Sequence, residues 1–185
     1  MVGFNRRFAP AYAALQERPR DIILMQKNRA SFPGPARDMI FDDFVHVVDT
    51  LLSLVPGPVL QTSHEVRLVD GLLHHIVLHL SGVGFAAIGV MNRMSGSDEE
   101  SLEVMGGGEK WRVENLARTI RYAAGTEEVT RAGDWRPATW VRGIEQTCDA
   151  FLRLVQTGGT IPPDASLPTH AICEAITADA ERQGG

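Results

Sequence analysis

The stretch VLQTSHEVRLVDGLLHHIVLHLSGVGFAAIGVMN, residues 59–92, predicts three consecutive β-strands. We place them at residues 59–69, 72–80 and 84–92, where β-branched and other aliphatic residues alternate with polar ones. Asp70-Gly71 and Ser81-Gly82 separate the three runs, and both pairs are typical of tight hairpin turns. The centre of the chain is therefore expected to be antiparallel sheet.

Strand patterns continue on both sides of this stretch. Shorter strands are predicted at residues 101–105, 110–114, 116–123 and 127–131, which would extend the sheet as a meander. An earlier strand is predicted at residues 21–31, where an apolar run ends in the polar residues Gln26, Lys27, Asn28 and Arg29. Helical patterns occupy residues 6–18, 38–55, 137–156 and 164–181, the last opened by Asp164 or Ser166 as a cap.

Strands in a run with helices before and after them indicate an α+β fold. We predict a largely antiparallel open sheet with helices packed on one face. Alternate residues on the other face are partly apolar, so we expect that face to be covered, either by a second copy of the chain in a homo-oligomer such as a dimer or by a missing domain.

Composition and charge narrow the class of protein. The chain has 185 residues, of which 44% are hydrophobic and 22% charged, as expected for one soluble globular domain, residues 1–185. The net charge of −5 argues against a nucleic-acid partner, and no segment predicts a membrane span. The start of the chain has no signal-peptide pattern, and we expect Cys148 and Cys173 to be reduced core residues. These features predict a cytoplasmic protein.

The helix predicted at residues 38–55, DMIFDDFVHVVDTLLSLV, has one polar and one apolar face. At 100° per residue the polar stripe holds Asp38, Asp42, His46, Asp49 and Ser53. Asp42 lies one turn before His46, where its carboxylate is expected to orient the imidazole and stabilise the protonated form. A histidine so placed can act as a general acid or base. A solvated helix face is the alternative interpretation.

Two other motifs predict ordinary structure. The hexapeptide GVGFAA, residues 82–87, matches the dinucleotide fingerprint G-x-G-x-x-A, but strand sequence follows it where a helix is required, so we predict a hairpin turn. His75 and His79 would share one side of a strand, but no nearby Cys, Asp or Glu completes a metal site, and we expect none. Residues 98–100 are predicted to be a solvated loop.

Three stretches together resemble the family of glucose-fructose oxidoreductase, inositol dehydrogenase and MocA, called Gfo/Idh/MocA. They are VGFNRRFAPAY (2–12), the region from QKNR (26–29) to IFDDFVHVVDTL (40–51), and RGIEQTCDAFLRLVQTGGTIPPDASLPTHAICEAI (142–176). The resemblance covers nearly the whole chain but only the second half of a family member.

This resemblance implies a particular domain organisation. Family members have an N-terminal Rossmann domain that binds NAD(P), followed by an α+β domain whose open sheet binds substrate and mediates oligomers. Residues 2–5 resemble the last Rossmann strand, so residues 1–20 would be a remnant of the junction between the two domains. The chain alone would bind no cofactor; NAD(P) would require a Rossmann domain upstream or on a partner chain.

The resemblance also implies roles for individual residues. The family's D-x-x-x-H pair falls on Asp42 and His46, so His46 would transfer a proton at a substrate hydroxyl or carbonyl and Asp42 would orient it. The family lysine of an E-K-P motif belongs to the Rossmann domain and has no counterpart in this sequence. Substrate contacts are expected from the strand residues Gln26, Lys27, Asn28 and Arg29 by this resemblance, and from Asp38 and Asp49 by their place on the polar stripe.

The expected function is that of a substrate-binding domain of an oxidoreductase that acts on a sugar, polyol or similar small hydroxylated molecule. Two alternatives stay open at this point. The chain could be a cofactor-independent lyase, isomerase or cyclase that uses Asp42 and His46, or a non-catalytic binding or assembly module.

Overall fold

One eight-stranded sheet carries the fold in the computed structural model, which describes residues 3–133, 135–159 and 166–184. The strands are β1 (Ile22–Asn28), β2 (Gln61–Val69), β3 (Leu72–Gly82), β4 (Phe85–Asn92), β5 (Glu99–Gly106), β6 (Glu109–Glu114), β7 (Arg118–Ala123) and β8 (Thr126–Arg131). Their order in the sheet is β2-β3-β4-β1-β5-β6-β7-β8. Only the β1–β4 pair is parallel among these neighbours, so the predicted α+β class with a largely antiparallel open sheet is confirmed.

Strand β1 lies in the middle of the sheet, between β4 and β5. The prediction that the strands from β2 to β8 form one uninterrupted meander is therefore wrong. Ile22 pairs with Ala86 of β4 on one side and with Met105 of β5 on the other. The chain reaches β5 from β4 through residues 93–98, which pass the end of β1. An apolar run suits such an interior position, because both backbone edges of β1 are paired and Ile23 and Met25 enter the core. Consecutive hairpins therefore describe β2 to β4 and β5 to β8, but not the strand inserted between them.

The helices gather on one face of the sheet and enclose the core. They are α1 (Pro10–Ala13), α2 (Ala36–Met39), α3 (Val45–Leu54), α4 (Ala138–Val141), α5 (Ile144–Gln156) and α6 (Leu167–Gly184). Helix α3 crosses β4 at Gly89, where an added Cβ would lie 2.7 Å from Val47 Cγ1 and 3.0 Å from Leu51 Cδ1. Only glycine permits this close approach, which brings the helix down onto the buried side chains of the sheet.

The predicted helix at residues 38–55 is interrupted by a π-helical turn. Ile40–Phe44 forms this turn between α2 and α3. A π-turn accommodates one residue more than an α-turn, so residues before and after it no longer share the stripe expected at 100° per residue. Asp42 is exposed, whereas Asp49 is buried. The predicted continuous polar stripe is therefore wrong.

The remaining helices are shorter or displaced relative to their predictions. Residues 6–18 form a 3₁₀ turn, Arg6–Phe8, followed by α1. The helix predicted at residues 137–156 is divided at Gly143, whose φ of +81° ends α4 before α5 begins. Helix α6 begins at Leu167, and the predicted cap Asp164 lies outside the described residues. Cys173 is buried as predicted, but Cys148 is exposed on α5, so its placement in the core was wrong.

The GVGFAA motif forms the hairpin between β3 and β4, as predicted, with Gly84 at a φ of +77°. No helix follows this turn, so the motif offers no helix N-terminus to receive a pyrophosphate. These residues do not fit a dinucleotide. None of the described helices is long and apolar enough to cross a membrane.

The second face of the sheet is turned away from the described helices. Leu24 of β1 lies on this face, between Ile88 of β4 and Glu103 of β5, because its neighbours Ile23 and Met25 point into the core. Apolar and charged side chains are thus mixed on this open face. The oligomer interface expected here stays a prediction.

Candidate functional site

A cleft of about 380 Å³ opens on the helix side of the sheet, where the π-turn faces the ends of β1 and β5. The first residues of the chain close it from a third side. Its walls carry many ionisable groups and few apolar ones. The lining residues are Arg6, Lys27, Arg29, Asp42, Asp43, His46, Asp98, Glu99, Glu100, Asn115, Leu116 and Arg142.

Lys27 is the most deeply buried cation of this cleft. Strand alternation turns Lys27 and Arg29 toward the helices, because Ile23 and Met25 of the same strand enter the core. The Lys27 side chain is only 3% exposed, and its Nζ lies 2.7 Å from Asp43 Oδ1. Burial lowers the pKa of Lys27, as does the charge of Arg6, whereas its pairing with Asp43 opposes the shift.

Asp43 is shared by three cations. Besides Lys27, it accepts a hydrogen bond from Arg93 Nη1 and a longer one, 3.4 Å, from Arg29 Nη2. Arg93 is itself buried at the end of β4, where its Nε donates to the carbonyl oxygen of Phe32 at 2.7 Å. Burial alone would raise the pKa of Asp43, but the hydrogen bonds and charges of Lys27 and Arg93, with the charge of Arg29, lower it to about 2. Asp43 is therefore ionised at neutral pH.

A second ion pair forms the wall beside Lys27. Glu100 is the β5 partner of Lys27 in the sheet, and it accepts hydrogen bonds from Arg6 Nε and Nη2 at 3.0 and 3.1 Å. The Tyr12 hydroxyl donates to the same carboxylate at 3.2 Å. Burial and the neighbouring Glu100 raise the pKa of Tyr12 well above its ordinary value, so its phenol stays protonated. The solvated loop predicted at residues 98–100 is wrong, because Glu99 and Glu100 begin β5 and Glu100 is buried.

His46 is neutral in this environment. Burial lowers its pKa to about 3, and the charges of Arg6 and Lys27 act in the same direction against a weaker effect of Asp43. Its Nδ1 is buried and has no hydrogen-bond partner among the described residues. The expected stabilisation of a protonated ring by Asp42 is not observed: in the described part of the chain the two side chains form no hydrogen bond or ion pair, and Asp42 lies exposed at the rim. The π-turn explains the difference, since Asp42 lies within it and the regular one-turn spacing to His46 is lost.

Four of the residues predicted for the site meet in the cleft, namely Lys27, Arg29, Asp42 and His46. The other predicted residues lie elsewhere. Asn28 is on the opposite side of β1, where it bonds Glu99 Oε1 at 2.8 Å and accepts from the Asn92 amide at 2.9 Å. Gln26 is its exposed neighbour on that side.

Asp38 and Asp49, which were expected in the site from the polar stripe, are also outside the cleft. Asp38 is exposed on α2. Asp49 is buried against Arg7, whose Nε donates to Asp49 Oδ2 at 2.9 Å, and near Thr169 of α6. Burial raises the pKa of Asp49, while Arg7 and Thr169 oppose the shift. The Asp49 carboxylate on α3 thus bonds both to Arg7 at the start of the chain and to Thr169 on α6.

Sequence reasoning missed four residues that shape the cleft: Arg6, Asp43, Arg93 and Glu100. Glu100 had a usable signal, because it alternates with the apolar residues Leu102 and Val104 of the same strand. Arg93 and Arg6 gave no such signal, since their burial depends on partners far away in the sequence. Asp43 was hidden by the assumption of a regular α-helix.

A second cavity of about 560 Å³ adjoins the cleft and shares Arg29, Asp42, Asp43 and Asp98 with it. Phe32 and Met39 add an apolar side, and the Phe32 ring lies 5.0 Å from the guanidinium carbon of Arg93. Phe32 is 61% exposed. A ligand that extends beyond the polar cleft would meet this aromatic ring.

The geometry defines what the cleft can do chemically. An ammonium group has three N–H donors, and Asp43 is the one carboxylate within 4 Å of Lys27 Nζ in the described ranges. Lys27 can therefore donate to an oxygen of a bound molecule, and neutral His46 can accept a proton or hydrogen bond. Within the same ranges, no three His, Cys, Asp or Glu side chains are grouped so that they could hold a metal ion.

The fold is that of part of two oxidoreductases of known structure. The dehydrogenase MviM from Clostridium difficile matches with a TM-score of 0.91 and 26% identity, over 97% of this chain and 61% of that one. A Gfo/Idh/MocA family oxidoreductase from Vibrio cholerae matches with a TM-score of 0.87 and 22% identity, over 98% and 61%. The sequence-based recognition of a Gfo/Idh/MocA C-terminal domain is confirmed.

The chain belongs to the family described as "YceM-like, C-terminal domain", whose model matches residues 10–123. Among curated proteins, YceM of Salmonella typhimurium, provisionally named an oxidoreductase, is 29% identical over 97% of this chain. The match spans 61% of that relative's length. The activity, substrates and partners of the whole relatives are therefore carried over only as proposals.

Proposed function

We propose that this chain is the substrate-binding domain of a Gfo/Idh/MocA-type oxidoreductase that acts on a sugar, polyol or similar small hydroxylated molecule. The observation that supports this most directly is that Lys27 and neutral His46 line one polar cleft. A hydroxyl group is both donor and acceptor, so it can bond to the two side chains at once.

The charges around the cleft suit a reaction at a hydroxyl. A base with a pKa of about 3 is weak, and it removes a proton only if the product anion is stabilised. The cations Arg6 and Lys27, which lower the pKa of His46, would also stabilise a developing alkoxide. In this proposal His46 accepts the hydroxyl proton and Lys27 donates a hydrogen bond to the oxygen. Asp43, which Arg93 also binds, holds Lys27 in position.

Redox chemistry would depend on a bound cofactor. The resemblance implies that NAD(P) supplies the hydride acceptor, and GVGFAA, as a hairpin, does not fit a dinucleotide. We propose that a Rossmann domain, upstream or on a partner chain, provides the cofactor. The residues of this chain bind and orient the substrate and move its proton.

The experiment that tests the proposed function measures ligand binding, because binding needs no cofactor. A panel of sugars, polyols and their acids is screened by isothermal calorimetry against the wild type, His46→Ala, Lys27→Met and the control Asp38→Asn. We expect Lys27→Met to weaken binding of the best ligand about tenfold or more, as for a lost hydrogen bond to a charged group. Asp38→Asn should bind normally. Equal affinity in all four proteins would contradict the proposed site.

One alternative is favoured by a specific observation: Lys27 and His46 both belong to this chain, so proton transfer needs no second domain. A lyase, isomerase or cyclase could use the same two groups. Turnover of the identified ligand by the isolated chain without NAD(P), lost in His46→Ala, would establish this reaction class. Ligand binding that persists in Lys27→Met and His46→Ala, without turnover, would instead indicate a binding or assembly module.

We also propose that two copies of the chain associate through the open face of the sheet. The support is the mixture of apolar side chains, such as Leu24 and Ile88, with the ionisable residue Glu103 on a face that the described helices leave uncovered. Such mixed surfaces are common at interfaces.

A further inference from the structure

An exposed aromatic ring lies beside the polar cleft. Phe32 follows β1 in the chain and lines the second cavity, of about 560 Å³, together with Met39 and Arg29. The residue is 61% exposed, although a large apolar side chain is more stable when it is buried. An aromatic ring left open in a cavity next to a polar cleft is a candidate contact for a ligand.

The loop that carries Phe32 is tied to the sheet. The Phe32 amide donates to the carbonyl oxygen of Arg93 at 2.8 Å, and Arg93 Nε donates to the carbonyl oxygen of Phe32 at 2.7 Å. Two residues further on, the carbonyl oxygen of Gly34 accepts from the amide of Leu73 in β3 at 2.8 Å. A proline stands on each side of Gly34 and restricts the backbone. The ring is therefore held in place before a ligand arrives, which lowers the entropic cost of binding.

Arg93 connects the Phe32 ring to the polar cleft. Its guanidinium carbon lies 5.0 Å from the centre of the ring, within the range of a cation–π contact, and its side chain is buried. The same guanidinium binds Asp43, which in turn pairs with Lys27. The ring and the amine expected to bond the substrate are thus positioned by one set of contacts.

The two cavities can receive two connected rings. Their volumes are about 380 and 560 Å³, and small-molecule pockets commonly hold about 300–1,000 Å³. They lie side by side, with four lining residues in common: Arg29, Asp42, Asp43 and Asp98. A molecule whose first ring meets Lys27 and His46 would therefore extend its second ring toward Phe32.

The charge of the cavity beside Phe32 indicates the kind of ring. Its described lining carries the carboxylates of Asp42, Asp43 and Asp98 and the guanidinium groups of Arg29 and Arg93. Both guanidinium groups pair with Asp43. Carboxylates accept hydrogen bonds from hydroxyl groups but repel a phosphate. A neutral, hydroxylated ring suits this cavity better than a nucleotide or a sugar phosphate does.

We propose that Phe32 is the contact for a second sugar ring, so that the substrate is a neutral disaccharide or longer saccharide. This inference rests on the proposed function and deepens it, because it names the substrate class of the same site. The C–H groups on one face of the second sugar would pack on the Phe32 ring, and its hydroxyls would donate to Asp42 or Asp98. The first ring would occupy the polar cleft with Lys27 and His46.

Isothermal calorimetry tests the proposal by comparing disaccharides with their component sugars. The probes are cellobiose, maltose, lactose and melibiose, against glucose and galactose. They are titrated into the wild type, Phe32→Ala, Phe32→Trp and the control Phe151→Ala. Phe151 of α5 is also partly exposed, at 42%, but lines neither of the two cavities.

We expect at least one disaccharide to bind the wild type about tenfold more tightly than its component sugars, since its second ring covers apolar surface of Phe32. Phe32→Ala should lower the affinity for this disaccharide to that of the monosaccharide, because the first ring makes the same contacts in both. Phe32→Trp retains an aromatic face and should keep the preference. Phe151→Ala should keep it as well.

Three results would overturn the proposal. The first is a wild type that binds none of the disaccharides more tightly than their component sugars. The second is a preference of equal size in the wild type and in Phe32→Ala. The third is adenosine or uridine bound more tightly than any disaccharide and lost in Phe32→Ala, which would assign the ring to a nucleobase.

Lys27→Met separates this proposal from the proposed function. It should weaken monosaccharides and disaccharides alike, since both place a ring in the polar cleft. If Phe32→Ala removed the preference while Lys27→Met and His46→Ala bound every sugar normally, the contact at Phe32 would stand and the proposed function would fail. A monosaccharide weakened by Lys27→Met, with a disaccharide preference unaffected by Phe32→Ala, would mean the reverse.

Discussion

Lys27 Nζ and Asp43 Oδ1 lie 2.7 Å apart in the wall of the cleft, although the two residues come from the central strand and from the π-turn opposite it. The pair joins the sheet to the helical layer at the point where a ligand would bind. Arg93, 1% exposed, adds a second buried positive charge to the same carboxylate. Removing Asp43 would leave both cations without their shared partner.

We expect Asp43→Asn to reduce the free energy of unfolding by about 3 kcal/mol, because buried charges that lose their partner are costly. Asp42→Asn is the matched control: it changes the adjacent, exposed carboxylate and should shift stability by no more than about 0.5 kcal/mol. Urea denaturation of the three proteins measures the difference. Equal losses in the two variants would show that Asp43 does not hold the cations.

The lowered pKa of His46 predicts a dependence of stability on pH. Its folded-state pKa is about 3 against an ordinary 6.5, so below pH 6.5 the unfolded chain takes up a proton that the folded chain refuses. Stability is therefore present in full above pH 6.5 and is lost as the pH falls toward 3, at up to about 1.4 kcal/mol per pH unit. His46→Gln should flatten this loss between pH 7 and pH 5, where ordinary carboxylates remain ionised.

Urea denaturation at several pH values, for the wild type and His46→Gln, measures this slope. His64→Gln serves as a comparison, since burial and Arg182 also lower the pKa of His64. If the stability of the wild type and of His46→Gln changed in parallel over this range, His46 would not be the neutral, buried group described above.

The close contact of α3 with β4 predicts a strict size limit at residue 89. Gly89→Ala places a Cβ 2.7 Å from Val47 Cγ1 and should destabilise the protein by about 1–3 kcal/mol. Gly57→Ala is the control, because its Cβ would meet nothing within 4 Å. In the double variant Gly89→Ala/Val47→Ala, relief of the clash should make the two losses less than additive in denaturation measurements. Strict additivity would show that the two residues are not in contact.

If two copies associate through the open face, a lysine introduced on that face should disrupt the dimer, whereas a lysine introduced at the β3–β4 hairpin tip should not. Ile88→Lys should convert a dimer into a monomer, since it introduces a charge at the centre of the proposed interface. Val83→Lys changes an exposed residue at the hairpin tip and should leave the dimer intact. Light scattering coupled to gel filtration gives the mass directly, for comparison with the 20.2 kDa of one chain. A monomeric wild type at high concentration would refute the proposed dimer.

Most of the secondary structure could be predicted from the sequence, because it depends on local patterns. The hairpin between β3 and β4 follows from alternation and from the glycines of its turn. The position of β1 could not be predicted in the same way, since insertion between β4 and β5 depends on pairing between residues far apart in the chain. The same limit applies to the buried pair of Arg6 and Glu100, whose partners are separated by 94 positions.

The site was predicted in part. Lys27, Arg29, Asp42 and His46 line the cleft, and all four are among the residues expected in the site from the sequence. The different roles of Asp42 and Asp43 could not be predicted. A helical wheel assumes a constant 100° per residue, and the π-turn Ile40–Phe44 departs from that value. Asp49 was placed by the same wheel on the polar side, yet Arg7 neutralises it inside the protein.

The π-turn also affects how the cleft is compared between related chains. Consider a relative whose helix lacks the extra residue of the π-turn Ile40–Phe44. The residue that presents a carboxylate to its cleft would then be paired with Asp42 in an alignment without gaps. The equivalent of Asp43 would then appear to be missing although its place in space is filled. Correspondence at this turn therefore has to be established by superposing coordinates.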